Sequence, residues 1–437
     1  MRYQFPRAFA SLCIARLQSA QSPPLAMPLS LYLKECVGFA KAGCPGEEKV
    51  HVVTGNEAAD ADSICSALCL AYLESQLQEK QRWIPMTSID RSDLALRRET
   101  VLLLRKAGIE KSCVPCRDDV PLEDLHSQGR IRMTLTDHNA ISDGMASLAS
   151  AEVEIVNHHE DRQEHPEVRG EARDIAFDSA GNDNGGAALV GSCCTLVVER
   201  FLRRAPHLLT ADVAEILLGV IALDTADLSE SAERATDRDR MAIMSLQEHC
   251  PAVDRKELFR TLNDAKFDPE FWASLTAADC LRYDYKQFDE PELYGSRFGS
   301  SAVLMRAEVL AAKRGVVDAA AALIRNRGLG LLLILTLTLT PEGPRRELLA
   351  VATSPRLIDA LAAFWETDER GRRMEMHRGD LPAEVASADS PFGAGMAAYW
   401  EQGCVTASRK QVVPLIFHFY AQQQQEAAVG QGGEDRG

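Results

Sequence analysis

The sequence lacks any apolar run long enough to span a bilayer. The longest, residues 329–339, is short, is interrupted by threonine, and reads as core strand. It also lacks a cysteine framework. The 12 Cys among 437 residues follow no repeated spacing, which excludes a small disulfide-stapled domain and suits a reducing compartment. Cys113 and Cys116 form a lone CxxC with no second pair and no suitably spaced His, so they read as ordinary thiols rather than a zinc site. Positive charge is scarce: 48 Lys and Arg stand against 64 Asp and Glu, a net charge of −16. That balance excludes a broad nucleic-acid or membrane-binding surface. An anionic substrate would need a local basic site inside an acidic protein. No internal repeat is present. Residues 1–34 contain no Asp or Glu but carry Arg2, Arg7, Arg16 and Lys34, in the manner of a mitochondrial presequence. The preferred reading is an unstructured extension of a cytoplasmic protein, or an upstream start with Met27 as the true first residue.

What is present is organised around residues 50–63. Residues 50–54 read as a short buried strand, Gly55 ends it, and Asn56, Asp60 and Asp62 crowd the following loop. Ser63 opens a run with Ile64, Leu68, Leu70, Ala71 and Leu73 at helical spacing, so residues 64–80 are expected to be an amphipathic helix. Two carboxylates where a strand ends and a helix begins stand at the rim where open α/β sheets bind ligands. They repel each other, and a divalent cation relieves that repulsion; alone, the pair would equally suit a polar turn with an Asp N-cap.

The pattern continues in order. Residues 93–107 read as a helix capped by Ser92 and stopped by Gly108. Residues 130–136 read as a strand followed by Asp137-His138-Asn139, and residues 152–156 as a strand followed by Asn157-His158-His159. A polar, Gly-rich stretch fills 160–190, with a short strand at 174–177. Helices are expected at 193–203 and 211–223, the latter ending in Asp224-Thr225. Strand–helix alternation predicts an α/β fold with a mainly parallel, doubly wound sheet. A charged linker near 250 separates a smaller α/β domain with mixed helices and strands. The expected divisions are an extension at 1–45, a first domain at 46–248, a second at 256–420, and a disordered tail at 421–437.

Asp60, Asp62, Asp137, His158 and Asp224 all end apolar segments. Strand ends of a parallel sheet share one rim, and four carboxylates with one imidazole there are too costly without cations. Hard oxygen ligands with one His suit Mn²⁺, Mg²⁺ or Co²⁺, and this ligand count suggests two ions with one bridging carboxylate.

The motifs Gly-Asn-Glu-Ala-Ala-Asp-Ala-Asp-Ser (55–63), Thr-Asp-His-Asn (136–139), Asn-His-His-Glu-Asp (157–161), Val-Gly-Ser-Cys-Cys-Thr-Leu-Val (190–197) and Leu-Asp-Thr (223–225) resemble the DHH phosphoesterase superfamily. Its exopolyphosphatase/prune branch, related to the family-II inorganic pyrophosphatases, is the nearest look-alike. Ala-Lys-Phe-Asp (265–268), Leu-Arg-Tyr-Asp-Tyr-Lys (281–286) and Ala-Ser-Arg-Lys-Gln-Val-Val-Pro (407–414) resemble that branch's second DHH-associated domain. The resemblance implies that Asp60 binds a first metal, Asp62 a second, Asp137 both, and that His158 and Asp224 complete the second. It implies catalytic roles for Asp137, His158 and His159. It places His159, Lys286, Arg409 and Lys410 on phosphate oxygens, with Asn56 and the helix start at Ser192 as further substrate contacts. Asn56 replaces a metal-binding His of the pyrophosphatases, which argues against a dedicated pyrophosphatase.

One residue departs from the pattern: the motif's Asp-His-His is Asn157-His158-His159. An amide keeps a hydrogen bond but not a charge, and changes behind metal ligands commonly lower affinity or activity 10–100-fold. On that basis Asn157→Asp should tighten metal binding or raise turnover. The implied activity is release of orthophosphate from inorganic polyphosphate, with two divalent ions and the active site in the cleft between domains. Rival readings are a pyrophosphatase, a cyclic-nucleotide phosphodiesterase and a non-enzymatic interaction protein.

Overall fold

The computed structural model describes residues 27–78, 80–179, 186–289, 297–386 and 395–434. Residues 1–26, the core of the expected extension, lie outside the described residues, as do 180–185 of the Gly-rich loop. Residues 29–41, assigned from sequence to the extension, instead form helix α1 (Leu29–Lys41). Leu29, Leu33, Cys36 and Ala40 recur at helical spacing and are buried, and the Tyr32 hydroxyl donates to the Trp83 carbonyl at 2.9 Å. The missing acidic residues said nothing about this apolar stripe.

The first sheet joins β1 (Val50–Thr54), β2 (Arg82–Met86), β3 (Ile131–Thr136), β4 (Glu152–Asn157) and β5 (Arg173–Ile175) in the order β2-β1-β3-β4-β5. Every neighbouring pair is parallel. The chain reverses its direction of winding between β1 and β3, so the carboxyl ends of those two strands form the topological switch point where such sheets bind ligands. Helix α2 (Ala61–Leu77) follows β1, with every residue from Ala61 to Glu74 buried. It is not amphipathic as expected, because the sheet covers one side and α4 (Cys193–Arg204) and α5 (Ala211–Asp224) cover the other. Helix α3 (Arg98–Lys106) is the ordered part of the helix expected at 93–107; residues 91–96 form a separate 3₁₀ turn.

Helix α6 (Asp237–His249) and helix α7 (Arg255–Lys266) lead to the second domain. Its mixed sheet runs β10-β11-β9-β8-β7-β6, with β6 (Asp284–Asp289), β7 (Arg297–Val303), β8 (Leu331–Thr340), β9 (Gly343–Ala352), β10 (Met376–Gly379) and β11 (Ala397–Gln402). Only the β7–β8 pair is parallel. Helix α8 (Val316–Arg327) and helix α9 (Pro355–Thr367) pack on this sheet. Helix α10 (Arg409–Glu434) begins at the predicted basic pair and carries on through the Gln-rich run that was expected to be unstructured. Glutamine is a good helix former, and buried Val412, Ile416, Phe419 and Tyr420 anchor the preceding turns. Among the described residues no helix is long and apolar enough to cross a membrane.

The two domains meet along the switch-point side. Tyr283 donates to Glu99 at 3.1 Å, Arg282 pairs with Asp93 at 3.2 Å, and Arg98 pairs with Asp268 at 2.5 Å.

Candidate metal centre

The loop after β1 is built by close approach. A Cβ on Gly55 would lie 2.5 Å from the Ser63 Cβ, so only glycine lets the first turn of α2 fold back onto the strand end. That approach brings Asp60, Asp62 and Ser63 to the sheet rim together. Asp60 is the N-cap of α2, its Oδ1 accepting from the Ser63 backbone N–H at 2.9 Å. The cap uses one carboxylate oxygen; the other is available for a cation.

Asp137 follows β3 with φ +62°, a left-handed conformation uncommon for a non-glycine residue. Its side chain is 2 % exposed and each oxygen has its own surroundings. Oδ2 accepts from Asn56 Nδ2 and from Ser63 Oγ, both at 2.7 Å. Oδ1 faces His158 Nε2 at 3.1 Å and His159 Nε2 at 2.9 Å. The His158 ring is oriented by Nδ1, 3.0 Å from the Val190 carbonyl, which can only accept; Nδ1 therefore carries a proton and Nε2 is turned toward Asp137. Burial and the charge of Lys410 push the His159 pKa well down. Burial works against ionisation of Asp137, but His159 and His158 outweigh it and hold the carboxyl well below its ordinary range. An ionised carboxylate oxygen thus faces imidazole nitrogens at close range, a set that a divalent cation completes. The ligand atoms of Asp137, His158 and His159 all lie within 4.8 Å of one another.

Asp62 and Asp224 close the cluster. Asp62 accepts from the Ser192 hydroxyl at 2.8 Å and from the backbone N–H groups of Cys193 and Cys194 at 2.7 and 2.9 Å. It stands 3.6 Å from His158 Nε2. Despite these donors, burial and then Asp224, Asp137 and Asp60 raise its pKa well above the usual carboxylate range. Burial and Asp60 likewise push Asp224 up to about 6. Asp224 Oδ2 is buried and has no hydrogen-bond partner among the described residues, and Asp137 Oδ1 accepts no well-directed hydrogen bond. Orphaned oxygens within mutually repelling acids are what hard divalent ions satisfy, so the residues present fit such ions.

Two expectations need correction. Ser192 and the start of α4 do not face a substrate: Ser192 is fully buried, and the anion held there is the Asp62 carboxylate. Asn56 is not free for substrate either, because its Nδ2 serves Asp137 and its Oδ1 accepts from Ala58 N–H at 2.9 Å. Asn157 is fully buried and grips the backbone of His159, accepting from its N–H at 3.1 Å and donating to its carbonyl at 2.8 Å.

From the second domain, Lys410 at the start of α10 reaches across the cleft to 3.5 Å from His158 Nε2. Arg409 beside it forks onto Asp284, at 2.8 Å to the carbonyl and 2.6 Å to Oδ1. Lys286 lies on β6, where burial and Arg409 lower its pKa and Asp137 and Asp60 oppose them. Among the described residues none pairs with its Nζ.

Three residues were not assigned roles from sequence. Ser63 donates to Asp137. Glu57 accepts from the Gln287 backbone N–H of the second domain at 2.6 Å. Arg97 is 2 % exposed, donates through Nε to the Ala58 and Ala59 carbonyls at 3.0 and 2.9 Å, and stacks on the Tyr283 ring at 5.0 Å. Ser63 could have been found from its place in the acidic motif; no sequence signal marks Arg97. Beside the CxxC, the ligand atoms of Cys116, Asp118 and Asp119 lie within 4.8 Å of one another, and Arg91 engages both carboxylates.

Comparison with known proteins identifies two domains along the chain. Residues 50–223 match the model of the DHH family N-terminal domain, and residues 260–419 match that of the DHHA2 domain. The chain is similar to exopolyphosphatase PRUNE1 of Rattus norvegicus, 29% identical over 388 residues, covering 88% of this chain and 78% of the relative. PRUNE1 of Bos taurus is 32% identical over 289 residues, 65% of this chain and 58% of the relative. The chain thus spans about half to three quarters of the length of these relatives. A Streptococcus mutans protein described as a manganese-dependent inorganic pyrophosphatase is 26% identical over 250 residues, 56% of this chain and 68% of that one. A solved Methanococcus jannaschii structure assigned to the family II inorganic pyrophosphatases shares the fold, with TM-score 0.55 and 21% identity over 85% of this chain and 99% of that one.

Proposed function

The chain belongs to the DHH family, with a DHH domain followed by a DHHA2 domain, and we propose that it is a metal-dependent hydrolase that releases orthophosphate from inorganic polyphosphate. Asp60, Asp62, Asp137, His158 and Asp224 would hold two divalent ions, Mn²⁺ or Mg²⁺ with Co²⁺ as a further option. When bound, such ions lower the pKa of water and neutralise charge developing on phosphoryl oxygens. The protein's own part is positional. Asn56 and Ser63 fix one oxygen of Asp137, so that the other faces the imidazoles. The Val190 carbonyl fixes the ring of His158. Lys286, Lys410 and His159 would take phosphate oxygens, with Arg409 held beside them by Asp284.

The observation that carries this reading is Asp137 Oδ1 within 3.1 Å of two imidazole nitrogens, beneath a lysine from the other domain. Asn56 supports a polyphosphate over a pyrophosphate substrate, since its amide is committed to Asp137 and Ala58 and supplies no metal ligand. The PRUNE1 relatives named as exopolyphosphatases point the same way. Phosphate release from tripolyphosphate, long polyphosphate and pyrophosphate, with chromatographic detection of nucleoside monophosphate formed from a cyclic nucleotide, each with Mg²⁺, Mn²⁺ and Co²⁺, tests it. Turnover of tripolyphosphate exceeding that of pyrophosphate is expected. Preference for pyrophosphate would assign the site to that substrate, and cleavage of the cyclic nucleotide alone would overturn the anhydride reading.

A further inference from the structure

Arg97 touches the candidate metal loop on one side and the second domain on the other. Between β1 and α2 the chain turns at residues 56–59, where the Asn56 carbonyl accepts from the Ala59 N–H at 3.0 Å and Ala59 takes φ +48°. A left-handed alanine is unfavourable and persists only where its surroundings hold it. Arg97, at the N-cap of α3, is buried and supplies that hold. Its Nε donates to the Ala58 and Ala59 carbonyls at 3.0 and 2.9 Å, and its Nη2 to Ala58 at 2.5 Å. Asp60 is the next residue, and Asn56, which opens the turn, holds Asp137. The same guanidinium lies over the Tyr283 ring of the second domain, 5.0 Å from its centre. The Tyr283 hydroxyl donates to buried Glu99 at 3.1 Å, so the first domain grips this residue by both ring and hydroxyl. Arg97 Nη1 is buried and has no hydrogen-bond partner among the described residues, which makes the aromatic face a main partner of the charge. Tyr283 precedes Asp284, which holds Arg409 beside Lys410, the lysine that crosses to His158.

We propose that Arg97 is a positioning residue that makes metal binding depend on docking of the second domain. Tyr283, seated on the guanidinium, keeps Arg97 on the Ala58 and Ala59 carbonyls, and these fix the approach of the chain to Asp60. Undocking removes the ring, lets water compete for the guanidinium, and frees the left-handed turn to relax. Asp60 then loses its fixed place relative to Asp62 and Asp137. Linkage runs both ways: a cation taken up at the loop favours the docked second domain by the same factor, and docking brings Lys410 over the site. The inference rests on the metal-dependent hydrolase reading and adds to it a coupling between metal loading and closure.

The test is calorimetric titration of Mn²⁺ into the full, chelator-stripped chain. Failure of the unaltered protein to bind Mn²⁺ would count against the metal-dependent reading itself. Given that binding, Tyr283→Leu, which removes the ring without altering a candidate metal ligand, should bind Mn²⁺ roughly tenfold more weakly, within the range of a desolvated cation–π contact. Tyr283→Phe keeps the ring and should bind like the unaltered protein. Arg97→Lys keeps the charge, loses the fork onto the carbonyls, and should weaken binding as well. The double variant, Arg97→Lys with Tyr283→Leu, should bind no more weakly than the weaker single variant, because both act through one clamp. Residues that merely add stability would lower the melting temperature and leave the Mn²⁺ affinity of the folded variants unchanged. That result, additive losses in the double variant, or an equal loss in Tyr283→Phe would overturn the proposal. Either single variant decides the matter if the other does not fold.

Discussion

At Asn157 the geometry reverses what the motif suggests. Its amide uses both ends on the backbone of His159, and an Asp there would keep the acceptor but lose the donor to the His159 carbonyl. It would also add a charge beside an already repelling cluster. Asn157→Asp is therefore expected to gain nothing in Mn²⁺ affinity and to lose about 1 kcal/mol of stability. Calorimetric metal titration and denaturant melts check this; tighter Mn²⁺ binding would restore the motif-based expectation. Asp224 gives a pH dependence. Its pKa rises from the ordinary carboxylate value of 3.8 to about 6 on folding. The folded chain then holds this proton more tightly than the unfolded chain, so the metal-free fold loses stability as pH climbs between those values and changes little above them. Asp224→Asn should flatten that part of the melting-temperature profile of chelator-treated protein. An unchanged slope would place the shift on another group.

The elements of the first sheet show how far the sequence could be read. Asp60, Asp62, Asp137 and His158 were legible because each follows an apolar run, and a parallel sheet delivers such ends to one rim. Contacts decided after chain collapse were not legible. The start of α4 looked like a phosphate site, but its donors close on Asp62 from 130 residues away. Arg97 lies in a charged stretch with nothing to announce that it clamps the Ala58 and Ala59 carbonyls. Helix α1 and the end of α10 show in periodicity and helix propensity, which the composition of those stretches does not reveal. The β1–α2 junction yields a direct test. Gly55→Ala would push a methyl into Ser63 at 2.5 Å and force the first turn of α2 away from the strand. It is expected to cost about 1–3 kcal/mol in a denaturant melt and to weaken metal binding through the Ser63–Asp137 contact. Wild-type stability and metal affinity would show that the junction relaxes freely.

On the scale of the whole molecule, an acidic protein of net charge −16 gathers cations at one interdomain cleft. Lys410 crosses that cleft to His158, while Lys286 approaches from β6. If the second domain supplies the phosphate grip, Lys410→Ala should lower kcat/KM on tripolyphosphate roughly tenfold or more. Its metal affinity should not fall, since removing a cation near His158 does not disfavour a bound cation. Steady-state kinetics beside a metal titration check both; unchanged kcat/KM, or loss of metal, would contradict the division of labour between domains. The most direct measurement is phosphate release from tripolyphosphate by chelator-stripped protein as Mn²⁺ is added back, run alongside Asp137→Asn. The account predicts no release without metal, a rise that saturates at two equivalents of Mn²⁺ per chain, and no recovery in the variant at those concentrations. Release that persists in excess chelator, or an Asp137→Asn variant that turns over like the unaltered protein, would contradict it.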